Sequence, residues 1–218
     1  MPTSAVAAVI AFTYAILLAF WLLTMPFTRR NSSNLAAVEA PKPAPDPQTR
    51  WRFLPAAVGT LGVFLANIAA IGMVLAAAVW PALEGRLDSF RIALPLEFRL
   101  VGALLFILNG IWGLLVMVFN PAYTPFFLDR TGKILLAGKG PYAIIRHPRY
   151  ASEATLNIIL LFLTGTWISL IGILGWGAMR RQAGREEEFL LRAAPDVYGR
   201  YQARTGGFLP RWKFRKED

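Results

Sequence analysis

Residues 140–153 read Gly-Pro-Tyr-Ala-Ile-Ile-Arg-His-Pro-Arg-Tyr-Ala-Ser-Glu and place polar and charged side chains between two apolar segments of the chain. The stretch contains His147, the only histidine in the sequence. At the edge of a membrane, such a stretch can form a pocket for an anionic ligand without exposing that pocket to lipid. We therefore expect the rest of the fold to position these residues.

The overall composition predicts an integral membrane protein. Of 218 residues, 56% are hydrophobic and 17% are charged, and the mean hydropathy is +0.46, outside the usual balance of soluble domains. A net charge of +10 fits Lys and Arg in loops on the cytoplasmic side of a membrane. Nucleic-acid binding is not expected, since RNA-binding aromatic signatures and zinc-finger spacings are absent. The chain has no cysteine, which excludes disulfides and cysteine nucleophiles, and no protein-bound metal is expected.

Apolar runs separated by polar connections predict a single all-α domain over residues 1–218, built from about five membrane-spanning helices. Three spans are predicted in residues 1–119, at Ala5–Phe27, Phe53–Trp80 and about Leu100–Phe119. The Asn31–Arg50 segment between the first two is rich in proline, which predicts an extended, solvated linker in the cytosol. The Pro81–Arg99 connection has balanced charges and suits the opposite side of the membrane.

Residues 120–218 are expected to carry the functional site. The apolar run Ala154–Met179 is long for one span and is interrupted near Gly165-Thr166, which predicts a helical hairpin; one long kinked helix is the alternative. Ten Lys or Arg residues lie from Arg180 onward. With the hairpin, the N-terminus lies outside, and the C-terminus and the site lie in the cytoplasm, as the positive-inside bias requires.

A site for an anion is predicted where the first motif meets the next helix. Pro148 suits the first position of a helix, which places Arg146 beside a helix N-terminus. Backbone N–H groups, the positive end of the helix dipole and a guanidinium favour a carboxylate or phosphate. Alternatively, Arg146, His147 and Arg149 contact lipid phosphates, with Tyr150 as an interfacial aromatic residue. This physics alone leaves both interpretations open.

A second polar cluster, Arg185-Glu186-Glu187-Glu188, follows the predicted hairpin on a helix. Successive helical residues point about 100° apart, so at most two of the three acids share a face. These acids could accept hydrogen bonds from the hydroxyls or the ammonium of a ligand. The alternative is a solvated face on which the acids pair with neighbouring arginines at helical spacing.

Together the two clusters resemble a known family. The resemblance rests on the motif Gly140-Pro-Tyr-x-x-x-Arg-His-Pro-x-Tyr150, a hairpin, Glu186-Glu187, Leu190, Tyr198, Tyr201 and a closing Leu209-Pro-Arg. This order of motifs resembles the isoprenylcysteine carboxyl methyltransferase family and its phospholipid methyltransferase relatives, over roughly the C-terminal third of the chain. The resemblance implies a membrane-embedded methyltransferase that uses S-adenosylmethionine, with the cofactor pocket facing the cytosol and a lipophilic acceptor entering from the bilayer.

The resemblance also implies roles for individual residues. The cofactor-binding candidates are Tyr142, Ala143, Ile144, Ile145, His147, Pro148, Tyr150, Glu186 and Glu187. The candidate catalytic residues are Arg146, His147, Glu153 and Arg181. Arg146 suits the carboxylate of the cofactor and the acids suit its cationic and hydroxyl groups, while adenine could lie against Tyr142, Ile144 or Ile145. No metal ligand is among them.

Two other functions fit parts of the sequence. Arg-His-Pro-x-Tyr followed by Ser152-Glu153 is also similar to membrane sterol reductases, which use NADPH. The acidic pair Glu186-Glu187 favours the methyl donor, because carboxylates are poor neighbours for an additional phosphate. A lipid-binding membrane protein without enzymatic activity is the third hypothesis.

The sequence does not identify the methyl acceptor. A carboxylate acceptor, such as a prenylcysteine or an isoprenoid acid, needs a positive neighbour, for which Arg180 or Arg181 is the candidate. A lipid amine must lose a proton, which Glu153 or an acid of the second cluster could take. A thiol also fits a pocket that is entered from the membrane.

Overall fold

A computed structural model describes residues 1–30, 35–39, 47–120 and 133–211, with side chains for 1–26, 55–120 and 136–211. Helices dominate it. They are α1 (Thr3–Arg30), α2 (Pro47–Val79), α3 (Glu84–Leu87), α4 (Leu96–Phe119), α5 (Pro141–Ile144), α6 (Pro148–Thr164), α7 (Trp176–Ala193) and α8 (Pro195–Arg204). Three 3-10 helices cover Pro81–Leu83, Asp88–Phe90 and Trp167–Gly175. The strands β1 (Leu35–Glu39) and β2 (Lys133–Ala137) form one antiparallel pair.

Among the described residues, three helices are long and apolar enough to cross a membrane. Their apolar stretches are Thr3–Pro26 in α1, Pro55–Val79 in α2 and Leu96–Phe119 in α4. These stretches contain most of each of the first three predicted spans. The third begins four residues before Leu100, directly after Pro95, which cannot donate a helical hydrogen bond. Many of their large apolar side chains are exposed, as expected of surfaces that contact lipid.

The predicted extended linker is only partly correct. Within Asn31–Arg50, residues Leu35–Glu39 form β1 and pair with β2, and the last four residues form the first turn of α2. Proline favours the start of a helix, where its missing N–H costs nothing, and α2 begins at Pro47. Residues 31–34 and 40–46 of this segment lie outside the described residues.

Hydrogen bonds bring loop segments between the helices together at each end of the bundle. At one end, the Arg91 guanidinium donates to the Thr3 hydroxyl over 2.8 Å, and the Ile92 N–H donates to the Gly165 carbonyl over 2.8 Å. The segment before α4, the start of α1 and the turn after α6 therefore meet there. At the other end, the pairing of β1 with β2 joins the connections that follow α1 and α4.

The chain reverses direction after α6. Gly165 ends this helix in the left-handed region (φ 73°), which glycine adopts without strain. The following 3-10 helix and α7 run back along α6, so that the Trp176 indole donates to the Asn157 side chain over 3.0 Å. The break predicted near Gly165-Thr166 lies where α6 ends, but the first part of the returning arm is a 3-10 helix and not an α-helix.

Close packing of α4 against α6 gives a first prediction. Gly102 is buried, and a Cβ at this position would overlap the backbone of Leu163. We expect Gly102→Ala to destabilise the protein by about 1–3 kcal/mol, since overpacking forces the two helices apart. Gly72→Ala is the matched control, because a Cβ there meets nothing within 4 Å. The unfolding temperatures of both variants are measured in detergent. Equal unfolding temperatures of Gly102→Ala and Gly72→Ala would contradict this account of the contact between α4 and α6.

Candidate functional site

The main chain joins the first motif to the C-terminal segment. The Arg146 N–H donates to the Gly206 carbonyl over 2.7 Å, and the His147 N–H donates to the Gly207 carbonyl over 3.1 Å. Helix α6 begins at Pro148, as expected, with His147 directly before it. The segment before α6 is therefore held in place before any side chain is considered.

The Glu187 carboxylate of α7 is the centre of a compact cluster. Arg146 binds it through two hydrogen bonds, from Nε to Oε1 at 2.8 Å and from Nη2 to Oε2 at 3.1 Å. His147 Nε2 lies 2.7 Å from Oε1, and Gln202 Nε2 donates to Oε2 over 2.8 Å. These four bonds use the acceptor sites of one carboxylate. Arg146, His147, Glu187 and Gln202 are called the Glu187 cluster below.

Electrostatics keeps Glu187 ionised. Burial raises the pKa of this carboxyl, but the hydrogen bonds from His147, Arg146 and Gln202 outweigh burial and lower the pKa to about 2. Because the carboxylate only accepts, His147 Nε2 carries a proton in this contact. The imidazole also stacks against Tyr150 and Phe208, with ring centroids 5.8 and 5.4 Å apart. The ring is thus held on both its face and its edge.

Glu186 has a different environment from its neighbour. Its Oε1 accepts a hydrogen bond of 2.6 Å from the Tyr150 hydroxyl and one of 3.3 Å from Gln182 Nε2. Burial raises the pKa of Glu186, against the opposing effect of the Tyr150 hydrogen bond. The Gln182 Oε1 atom is buried and has no hydrogen-bond partner among the described residues. This corner of the site therefore offers acceptors that a donor group of a ligand can use.

A cleft of about 490 Å³ opens beside Arg146. Its lining combines two guanidinium groups with the polar end of α8. The lining residues are Arg146, Gly199, Gln202, Ala203, Thr205, Gly206 and Arg211. The volume lies within the range of small-molecule sites in proteins.

The α5 candidates separate into buried and exposed residues. Tyr142 and Ile145 are buried, whereas Ala143 and Ile144 are exposed. Asn120 donates to the Tyr142 hydroxyl over 3.3 Å, and the Tyr201 hydroxyl donates to the Tyr142 carbonyl over 2.6 Å. Tyr142 is thus engaged within the fold, whereas the apolar side chain of Ile144 is exposed.

Two of the predicted catalytic residues lie apart from the Glu187 cluster. Arg181 is exposed, and its Nε donates to the carbonyl of Gly177 in its own helix over 3.2 Å. It lies about 120° around α7 from Glu187, because six residues make more than one and a half turns. Glu153 lies further along α6, where Asn67 of α2 donates to it.

Arg146 does not present a free guanidinium to a ligand carboxylate, contrary to the role expected from the sequence. Its Nε and Nη2 bind Glu187, and its Nη1 donates to the carbonyls of Gln202 and Thr205. Because the ionised Glu187 carboxylate occupies these two N–H groups, they are not available for bidentate binding of a ligand carboxylate. In the structure, Arg146 therefore positions Glu187.

Three polar side chains that take part in these contacts, Gln182, Asn67 and Gln202, were not predicted from the sequence. Gln182 lies four residues before Glu186, and this i,i+4 spacing could have identified it. Asn67 lies in an apolar span, where a polar side chain is itself a signal. Gln202 gave no signal, because its contact with Glu187 depends on how α8 packs.

Comparison of the chain with protein-family models and with curated proteins finds no match.

Proposed function

We propose that this protein is a membrane methyltransferase that uses S-adenosylmethionine and acts on a lipophilic acceptor. The observation that carries the proposal is the contact of Arg146 and His147 with Glu187. It joins two motifs 40 residues apart in one half-buried polar site. Taken alone, the first motif could contact lipid phosphates and the acidic cluster could form a solvated helix face. Neither alternative explains why the two motifs bind each other in a half-buried site.

The residues present fit this cofactor, which supplies a methyl group on a positively charged sulfur. Glu186 accepts hydrogen bonds here, and the buried Gln182 Oε1 has no partner among the residues that the structure describes, so both offer acceptors for an ammonium or a hydroxyl group. Ionised Glu187 adds negative potential for a cationic ligand. The neighbouring cleft of about 490 Å³ has the required size, and Arg211 on its wall supplies a cation for a carboxylate.

The two acids have separate roles in this proposal. Glu187 is a positioning residue, because its acceptor sites are taken by Arg146, His147 and Gln202. Glu186 binds the ligand, since both of its hydrogen bonds from described residues reach the same oxygen, Oε1. The protein then contributes orientation and exclusion of water to a direct methyl transfer.

We further propose five membrane crossings, with the N-terminus outside and the site on the cytosolic side. The gathering of the start of α1, the segment before α4 and the turn after α6 at one end of the bundle supports this topology. The β1–β2 pair at the other end supports it as well. The Lys and Arg residues after Arg180 assign that end to the cytoplasm.

Ligand binding to the purified full-length protein tests the proposal. We expect S-adenosylhomocysteine, the demethylated product, to raise the unfolding temperature in detergent, and NADPH to leave it unchanged. Glu186→Gln should weaken this binding about tenfold or more, as expected for loss of a hydrogen bond to a charged group. Glu188→Gln is the matched control, because Glu188 is adjacent and exposed.

The other outcomes identify the rival functions. Stabilisation by NADPH alone would favour a membrane reductase. Stabilisation by neither compound would favour a lipid-binding protein without this activity. Equal affinities of the Glu186 and Glu188 variants would refute the assignment of Glu186 as the binding acid.

A further inference from the structure

A small polar cluster lies at the interface of α4 and α6, within the apolar part of the bundle. The Ser152 hydroxyl donates to Asn109 Oδ1 over 3.0 Å, and Thr155 Oγ1 lies 3.4 Å from the same oxygen. Asn109, Ser152 and Thr155 are called the Asn109 cluster below. None of the three residues belongs to the Glu187 cluster.

The Asn109 cluster lies deep in the membrane-spanning part of the protein. Asn109 is near the middle of the apolar stretch Leu96–Phe119. On the same helix, Leu105 and Leu108 are 37% and 51% exposed, as expected of side chains that contact lipid, whereas Asn109 is half-buried. Polar side chains at this depth are costly and tend to mark sites of function.

Only one end of the Asn109 amide is paired. Its Nδ2 has no acceptor in the described parts of the chain. The asparagines between α2 and α6 differ, because both ends of each amide are bonded. Asn157 Nδ2 donates to Asn67 Oδ1 over 2.6 Å, Asn67 Nδ2 donates to the Glu153 carbonyl over 3.1 Å, and the Trp176 indole donates to Asn157 Oδ1 over 3.0 Å. Packing of α4 on α6 therefore explains Asn109 Oδ1 but leaves a costly unpaired donor at Nδ2.

The helix interface leaves space beside this donor. Gly113 lies four residues after Asn109, on the same face of α4. Apart from its own helix, a Cβ on Gly113 would meet one atom within 4 Å, Ser152 Oγ at 3.9 Å. Toward the start of α6, the Trp112 indole donates to the Pro148 carbonyl over 3.2 Å and bridges the two helices. Asn109, Gly113 and Ser152 thus line a recess in the side of the bundle.

The recess lies on a different side of α6 from the proposed cofactor site. Tyr150 of α6 donates to Glu186 of α7, and Ser152 points about 200° around the helix from Tyr150. Glu153 lies on a third side, where Asn67 of α2 donates to it. A ligand in the recess would therefore bind independently of the cofactor.

The chemistry of the recess selects the class of ligand. The unpaired group is a donor, so the ligand must supply an acceptor. Plain acyl chains have none, and the ester groups of glycerolipids lie at the membrane interface, about 15 Å from the middle of the bilayer. An anionic group is costly at this depth. A neutral carbonyl inside the apolar part of a lipid satisfies both requirements.

A second copy of this chain fits the recess less well. A helix is about 10–12 Å wide with its side chains. A helix of another copy would meet the exposed Leu105 and Leu108 side chains before it reached the half-buried Asn109. A carbonyl on a slender chain or a flat ring can enter between these side chains and α6.

We propose that Asn109 Nδ2 donates a hydrogen bond to the ketone or quinone carbonyl of a lipid that lies along the α4–α6 interface. The apolar part of the ligand lies beside Gly113. Ser152 holds Asn109 Oδ1 and so directs Nδ2 toward the ligand. This lipid site is additional to the proposed methyltransferase function.

A symmetrical ketone tests this chemistry at the right depth. The full-length protein in phosphatidylcholine nanodiscs is titrated with heptadecan-9-one labelled with carbon-13 at the carbonyl. A hydrogen bond lowers the stretching frequency of the carbonyl, so infrared spectroscopy separates bound ketone from ketone in the lipid. We expect a saturable shifted band with wild type and about tenfold weaker binding with Asn109→Leu. Labelled decylubiquinone, titrated in the same way, distinguishes a ring carbonyl from a chain ketone.

A second variant tests the recess without changing the amide. Gly113→Leu fills the recess, leaves the bond between Asn109 and Ser152 in place, and should also remove the shifted band. Gly62→Leu is the matched control, because Gly62 is exposed on α2 and a Cβ there meets nothing within 4 Å. If Asn109→Leu does not fold, Gly113→Leu and its control decide the question.

Three results would overturn the lipid site. The first is a shifted band that both Asn109→Leu and Gly113→Leu retain at wild-type affinity. The second is the absence of a shifted band with either carbonyl compound in wild type. The third is a dimer that Asn109→Leu converts to a monomer while no carbonyl compound binds, which would assign Asn109 to a contact between copies of the chain. Binding of S-adenosylhomocysteine should be the same in wild type and Gly113→Leu, so the two proposals fail separately.

Discussion

Glu187→Gln is expected to lower the free energy of unfolding by about 3 kcal/mol and to abolish binding of S-adenosylhomocysteine. The substitution keeps the shape of the side chain but removes the charge that four hydrogen bonds satisfy. It turns an amide N–H₂ toward donors of Arg146, His147 or Gln202. Breaking a buried ion pair by changing one partner costs about 3–5 kcal/mol, and the slight exposure of this pair places it at the lower end.

The effect of this substitution should depend on pH in a defined window. The folded-state pKa of Glu187 is about 2, below its ordinary value of 4.5, so the unfolded chain binds more protons between these values. The stabilisation is therefore complete above about pH 4.5 and is lost as the pH falls toward 2. We expect the difference in unfolding temperature between wild type and Glu187→Gln to shrink over this window. A difference that stays constant from pH 7 to 3 would show that the carboxylate charge does not stabilise the site.

The sequence was informative where periodicity and composition govern structure. Long apolar runs predicted helices α1, α2 and α4, because each run is about as long and as apolar as a helix that spans a bilayer must be. Gly165 predicted the end of α6, since glycine adopts the left-handed cap without strain. Pro148 predicted the start of the same helix, because an N–H group at the first helical position has no partner within the helix and proline lacks that group.

The sequence was uninformative where partners are distant along the chain. It grouped Arg146 with a ligand and Glu187 with solvent or a ligand, but it could not show that each satisfies the other. It gave no sign that β1 pairs with β2, because two five-residue segments about 100 residues apart carry no register information. The contact of Asn67 with Glu153 likewise depends on how α2 packs on α6.

Gly206→Ala is expected to disrupt the site from the backbone. The carbonyl of Gly206 accepts the Arg146 N–H, and a Cβ on Gly206 would overlap the carbonyl oxygen of Leu209. Both contacts involve main-chain atoms, so the segment must shift as a whole and cannot relax through a flexible side chain. We expect a loss of stability of about 1–3 kcal/mol, as for other overpacked positions, and at least a tenfold loss of affinity for S-adenosylhomocysteine.

Two comparisons separate a shifted backbone from a general effect of adding a methyl group. Gly184→Ala places the same group on α7, where a Cβ meets nothing within 4 Å, and should leave both unfolding temperature and affinity unchanged. Gly207→Ala brings its Cβ only to ordinary contact distance, 3.5 Å from Arg146 Nη2, and should also have little effect on either quantity. If Gly206→Ala binds S-adenosylhomocysteine as tightly as Gly184→Ala, the pairing of this segment with Arg146 is dispensable. The position of Arg146 would then depend on its side-chain hydrogen bonds to Glu187, Gln202 and Thr205.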